Sequence, residues 1–153
     1  MAEYFKLARV YLVLLALLTI GRFVLGNVSG VPFEKGSDKM SIVIVTIVSS
    51  ILYAAFARGF LGYRMWDAVK LAMFLALCSQ VVILLATVLS YLAGIRSYFN
   101  HPTALSGQPA DAVITLGQAL GIRLGGLVVN TLLNGIVGAI GWALGGLFPP
   151  RKS

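Results

Sequence analysis

Five side chains capable of polar chemistry stand inside stretches that are otherwise apolar: Arg22, Gln80, Arg123, Asn130 and Asn134. A guanidinium stays charged, presents its N–H donors as a planar fork and matches the oxygens of carboxylates and phosphates. A carboxamide both donates and accepts. The two arginines are therefore candidates for holding an anion. The amides are candidates either for lining a solute path or for joining one helix to another. An asparagine bonded across helices in hydrocarbon contributes about 0.6–2 kcal/mol, which favours the joining role for Asn130 and Asn134, with Gln80 as a possible partner. A charge at the bilayer centre costs at least about 2.5–3.5 kcal/mol. Arg22 and Arg123 must then either sit near helix ends, with their stems snorkelling to lipid phosphate, or converge on an outward-facing anion site.

Other reactive types are sparse. Cys78 is the only cysteine and has no base nearby in sequence, so a buried inert thiol is expected, and one cysteine excludes an intrachain disulfide. His101 is the only histidine, and the five acids are scattered among termini and connections, so neither a metal site nor paired carboxylates for acid–base catalysis is expected. There is no phosphate-binding glycine loop, zinc motif or G-x-S-x-G, and no cofactor is expected. Asn27-Val28-Ser29 fits a glycosylation sequon at the very end of an apolar stretch, a poor position for its use.

Glycine supplies the strongest pattern. Nine of the 17 glycines lie at or beyond Gly117. Gly117, Gly121 and Gly125 form small-xxx-small steps, and Gly141 with Gly145 forms another. Such steps let helix backbones approach closely in membranes. Arg123, Gly126, Asn130, Asn134, Gly138, Gly141 and Gly145 advance by three or four residues and share one helix face, opposite Leu124, Val128 and Leu132. The expectation is a glycine-rich last helix at the packing centre of a bundle.

The elements that must position these residues follow from composition. Of 153 residues, 59% are hydrophobic and 11% charged, with mean hydropathy +0.93. A soluble domain carries about a quarter charged residues, so a water-soluble enzyme and a disordered chain are both excluded. Spans of about 20 apolar residues are expected over about 8–26, 40–57, 68–94 and 125–147, the last preceded by an outer interfacial or protruding helical section over about 111–124. The connection 27–39 carries turn-formers and mixed charges, 96–109 reads as an irregular loop, and Pro149–Pro150 ends the last helix. The fold class expected is an all-α four-transmembrane-helix bundle.

Charge orients it. With the N-terminus inside, Lys6, Arg9, Arg58, Arg64, Lys70, Arg151 and Lys152 face the cytoplasm, while Lys35, Lys39 and Arg96 face out. That bias favours N-in and C-in, so the +7 net charge orients the chain and attracts anionic lipid rather than nucleic acid. Short connections and this bias suit a bacterial inner membrane. The leading functional expectation is a non-catalytic subunit or assembly partner that packs or self-associates through its glycine-rich helix. A homo-oligomeric transporter or channel with an Arg/Asn-lined path is an alternative. A lipid- or quinone-interacting protein using Arg22 and Arg123 at the outer interface is another.

Overall fold

A computed structural model describes residues 2–27 and 41–147, and every regular element among them is helical. The elements are α1 (Ala2–Leu7), α2 (Arg9–Asn27), α3 (Ile42–Leu61), α4 (Met65–Leu92), α5 (Pro102–Ser106) and α6 (Leu116–Gly145). Among the described residues three helices, α3, α4 and α6, are long and apolar enough to cross a membrane. Large hydrophobic side chains on their outer faces, such as Ile44, Leu85 and Val128, are more than half exposed. That pattern belongs to an integral membrane protein, whose apolar exterior faces lipid. The connection 28–40, the sequon's Val28 and Ser29, and the Pro149–Pro150 stop lie outside the described residues.

Local chemistry sets the helix limits. Ser41 caps α3 by accepting from Ile44 N, and Gly62, at φ +68°, ends it with its N–H on Ala57 O. Arg58–Leu61, expected as connection, are therefore helical, and the turn to α4 is only Gly62–Arg64. Gly94, at φ +63°, follows the end of α4. A short helix, α5, interrupts the loop expected over 96–109, with Pro102 in its first turn. The last helix starts later than the expected position of about 111. Asp111–Ile114 are not helical, Thr115 and Gln118 form a capping box, and the helix then runs unbroken to Gly145.

The glycine-rich helix α6 makes the two most extensive helix contacts, with α4 and with α3. In the most apolar stretch of α4, 56% of residues are buried, against 22% in α6. Helix α4 is the more buried of the two and also touches α2 and α3, whereas one side of α6 is left open. Two kinds of packing meet there. Helices α3, α4 and α6 approach closely through small residues. Ala54, Ala55 and Ala57 on α3 and Ala68, Ala72 and Ala76 on α4 are all buried; Ala68 and Ala72 lie against Gly138 of α6, Ile51 against Gly141 and Ala55 against Gly145. Helix α2 instead leans on the trio through larger side chains. Tyr11 and Leu15 join Leu75 and Ile83 in one buried cluster, and the Tyr11 hydroxyl donates to Leu75 O (3.2 Å) and bonds Thr46 Oγ1 (2.8 Å).

Candidate functional site

The two arginines converge. Arg22, near the C-terminal end of α2, is only 6% exposed, and its guanidinium carbon lies 3.7 Å from the centroid of the Tyr98 ring. Arg123, in the third turn of α6, donates from Nε to Thr87 Oγ1 (3.1 Å) and from a terminal nitrogen to Phe99 O (3.0 Å). Both line a cavity of about 50 Å³ with Ser41, Ile42, Val43, Ile83, Tyr98 and Phe99. The cavity thus draws on α2, α3, α4, α6 and the connection after α4.

The Tyr98–Phe99 segment is held in place from several sides. Ser97 Oγ bonds Ser90 Oγ (2.6 Å) and accepts from Phe99 N (3.1 Å). Asn100 Oδ1 accepts from Ser97 N (2.8 Å), and its Nδ2 donates to Ile95 O (2.8 Å). The Phe99 ring is buried against Phe23, with centroids 5.0 Å apart. These bonds fold the chain after Gly94 back onto the helices, so that an aromatic face meets Arg22 and a carbonyl meets Arg123.

Among the described lining residues the charged side chains are the two arginines. Two guanidiniums reach it, and α3 begins at it. Residues Ser41–Val43 occupy the helix start, where the first N–H groups have no partner within the helix and the macrodipole is positive. Ser41 Oγ accepts from Ile44 N, which leaves the Ile42 and Val43 N–H groups without an intrahelical acceptor. No carboxylate is among the described residues that line the cavity. Neutral acceptors at Thr87 and Phe99 orient Arg123 but do not offset its charge.

The amides form a separate set. Asn134 is fully buried, accepts from Ser50 Oγ (2.7 Å) and donates to Asn130 O (2.8 Å). Asn130 donates to Gly126 O (2.9 Å). A Cβ added at Gly126 would lie 3.8 Å from Asn130 Nδ2 and 3.9 Å from Gln80 Oε1, ordinary contact distances that place both amides beside this turn of α6. The polar face that Arg123 shares with Asn130 and Asn134 is the face on which α6 packs against α3 and α4. Below Asn134 it is closed by backbone contact at Gly141 and Gly145.

The glycines also divide. Gly138, Gly141 and Gly145 touch neighbouring helices directly, whereas Gly117, Gly121 and Gly125 have nothing within 4 Å of where a Cβ would stand. The first group makes the interhelical seam, and the second lies on an open face.

The opposite end of the bundle carries another cavity, of about 300 Å³, between Glu3, Tyr4, Tyr63 and Asp67. Burial, and then the negative charges of Asp67 and Glu3, raise the Tyr4 phenol above its ordinary value. Burial, and then Glu3, the neighbouring Tyr4 and Asp67, do the same for Tyr63. Close by, Arg58 lies 3.8 Å over the Trp142 ring and donates to Trp142 O (3.0 Å), while Trp142 Nε1 donates to Tyr63 O (2.8 Å). This cluster fastens the end of α6.

Sequence reasoning placed both arginines among the candidates but missed Tyr98, Phe99 and Ser41. The available signal for Tyr98 and Phe99 was their position a few residues after Gly94, where the chain turns back. No group of three or more potential metal-ligating side chains occurs among the described residues. Comparison with protein-family models, with curated proteins and with solved structures finds no match for this chain.

Proposed function

We propose that this chain is a non-catalytic integral membrane protein that crosses the bilayer four times, N-in and C-in, and holds an anionic group between Arg22 and Arg123 at its external end. The observation that carries this reading is the cavity itself. Two guanidiniums from α2 and α6 and the start of α3 meet there, with no carboxylate among its described lining residues.

Helix lengths support the placement. Arg123 stands 22 residues from Gly145 on α6, a rise of about 33 Å at 1.5 Å per residue. That is one hydrocarbon thickness, about 30 Å, so the arginine falls at an interface when the other end of α6 lies at the opposite one. Thr87, to which Arg123 donates, stands the same 22 residues from Met65 on α4. Helix α2, at 19 residues, has the length to be the fourth span, and the cytoplasmic excess of basic residues sets the direction. The short connections suit a bacterial inner membrane.

Ligand-dependent stability tests the anion site. Purified protein in non-ionic detergent at low ionic strength is melted with and without phosphate, sulfate and anionic lipid. A ligand at 100 times its dissociation constant stabilises by about 2.7 kcal/mol, a readable shift. Arg22→Ala and Arg123→Ala are expected to abolish the shift. An unchanged melt with every anion would remove the basis of the reading.

A second reading is supported by a different observation. The open Gly117–Gly121–Gly125 face, flanked by exposed Leu124, Val128 and Leu132, suits a subunit or assembly partner that docks another membrane helix. Copurification from native membrane distinguishes the two readings, because assembly predicts a stoichiometric protein companion or a second copy.

A further inference from the structure

We infer that α4 and α6 hold an internal water between the Gln80 and Asn130 carboxamides, and that this water ties the two helices together. The helices themselves set the level of the two amides. Gln80 stands seven residues before Thr87 on α4, and Asn130 seven residues after Arg123 on α6. Arg123 donates to Thr87, so at 1.5 Å per residue both amides lie about 10 Å further into the bundle from that bond. They meet at one turn of α6, because a Cβ at Gly126 would stand in ordinary contact with Asn130 Nδ2 and with Gln80 Oε1.

Hydrogen bonding defines what fits there. Gln80 is only 6% exposed, yet no described residue bonds either end of its carboxamide. Asn130 Nδ2 donates to Gly126 O, while its Oδ1 receives no donor. The surrounding donors are committed elsewhere: Asn134 Nδ2 to Asn130 O, Ser50 Oγ to Asn134 Oδ1 and Ser79 Oγ to Ala76 O. Thr131 Oγ1 is enclosed without a partner, so it reaches neither oxygen. Buried polar atoms are costly when left unpaired, and two acceptor oxygens cannot bond each other.

A water brings two donors, enough for both oxygens, and its own oxygen can accept from an N–H. A cationic donor does not suit the position. Helices α3 and α6 carry no carboxylate, and the one on α4 is Asp67, in its first turn. The water is resident rather than passing through. Arg123 bonds Thr87 on one side of it along the seam, and beyond Asn134 the α6 backbone touches α3 at Gly141 and Gly145. The tie requires no anion at the arginine cavity.

NMR contacts between water and side-chain amides test this in the intact protein. Protein labelled with ¹⁵N-glutamine is placed in lipid nanodiscs, and NOE and ROE cross-peaks to water are recorded. The chain has three glutamines, Gln80, Gln108 and Gln118, and Gln80→Leu assigns the first by loss of its signals. Gln80 is expected to give water NOE and ROE peaks of opposite sign, the signature of a long-held water. Gln108 and Gln118, both exposed, should give no such pair. Asn130→Leu removes one acceptor and keeps the Ser79 hydroxyl, and should abolish the Gln80 peaks. Asn130→Ala takes its place if helicity and melting show the leucine variant misfolded. Peaks that persist in the folded variant are relayed through Ser79 or arise elsewhere, and would overturn the assignment. A wild-type Gln80 amide in contact with side chains or acyl protons but not with water would overturn it without any variant.

Discussion

Asn134 shows how a polar residue is kept inside a membrane bundle. Its oxygen and its amide nitrogen are each engaged, one by Ser50 across the α3–α6 seam and one by the Asn130 carbonyl a turn away. Removing one side leaves the other to find a weaker partner. Asn134→Ala is expected to cost about 1 kcal/mol, and a double-mutant cycle with Ser50→Ala should give a coupling of about 0.6–1.7 kcal/mol. Reversible unfolding in mixed micelles measures it, and zero coupling would mean that the bond contributes no net stability. Arg58 does related work at the other end. It stacks on Trp142 and donates to the last carbonyls of α6, where a cation also meets the negative end of the helix dipole. Arg58→Ala should cost about 1–2 kcal/mol, the sum of cation–π and dipole contributions, and Arg58→Lys should recover part of it in the same assay. Residue types were legible in the sequence because polar groups in apolar runs announce themselves. Their partners were not. Nothing in the spacing of Arg123 points to Thr87 or Phe99, since that pairing depends on where the chain turns after Gly94.

The elements were legible to within a few residues wherever a capping signal was available, and less so elsewhere. Four apolar stretches were expected, and helices α2, α3, α4 and α6 occupy them. Their ends moved where Gly62 and Thr115, rather than charge or composition, stop and start the helix. Glycine spacing by itself did not reveal which face a neighbour would occupy, and substitution separates the two groups. At Gly141 an added Cβ would stand 2.5 Å from Ile51 O and 2.8 Å from Ile51 Cα, and at Gly145 it would stand 2.5 Å from Ala55 O. Backbone atoms cannot swing aside, so α6 must shift. Gly141→Ala and Gly145→Ala are expected to destabilise by about 1–3 kcal/mol, the usual cost of overpacking. Gly121→Ala and Gly125→Ala meet open space, and should be neutral or stabilising by up to about 1 kcal/mol through helix propensity. Unfolding measurements compare the four. If the open face docks another helix, Gly121→Leu should lower self-association or partner capture while leaving the melting of the isolated protein unchanged.

At the scale of the molecule, charge and hydropathy compose a directed object. Acids and tyrosines gather around Glu3, Tyr4, Tyr63 and Asp67 at one end, while Arg22 and Arg123 close on a cavity that includes the connection after α4. The reading of an external anion site depends on which end faces which compartment. A single-cysteine approach suits this chain because Cys78 is its only cysteine. In a Cys78→Ser background, Met65→Cys marks the α3–α4 turn and Gln108→Cys marks the long connection before α6, both at exposed positions. With N-in and C-in, an impermeant maleimide added to intact cells should label Gln108→Cys, and should reach Met65→Cys only after permeabilisation. The reverse pattern would turn the molecule over and place the arginine cavity on the cytoplasmic side, where anionic lipid and soluble phosphate compounds both compete for it. Labelling of both positions from outside would be incompatible with α4 as a span. The expected pattern follows from the basic residues Arg58, Arg64 and Lys70 flanking that turn. Moving the bias tests the cause: Arg58→Gln, Arg64→Gln and Lys70→Gln together should weaken the preference and yield mixed labelling if the positive-inside effect orients this chain.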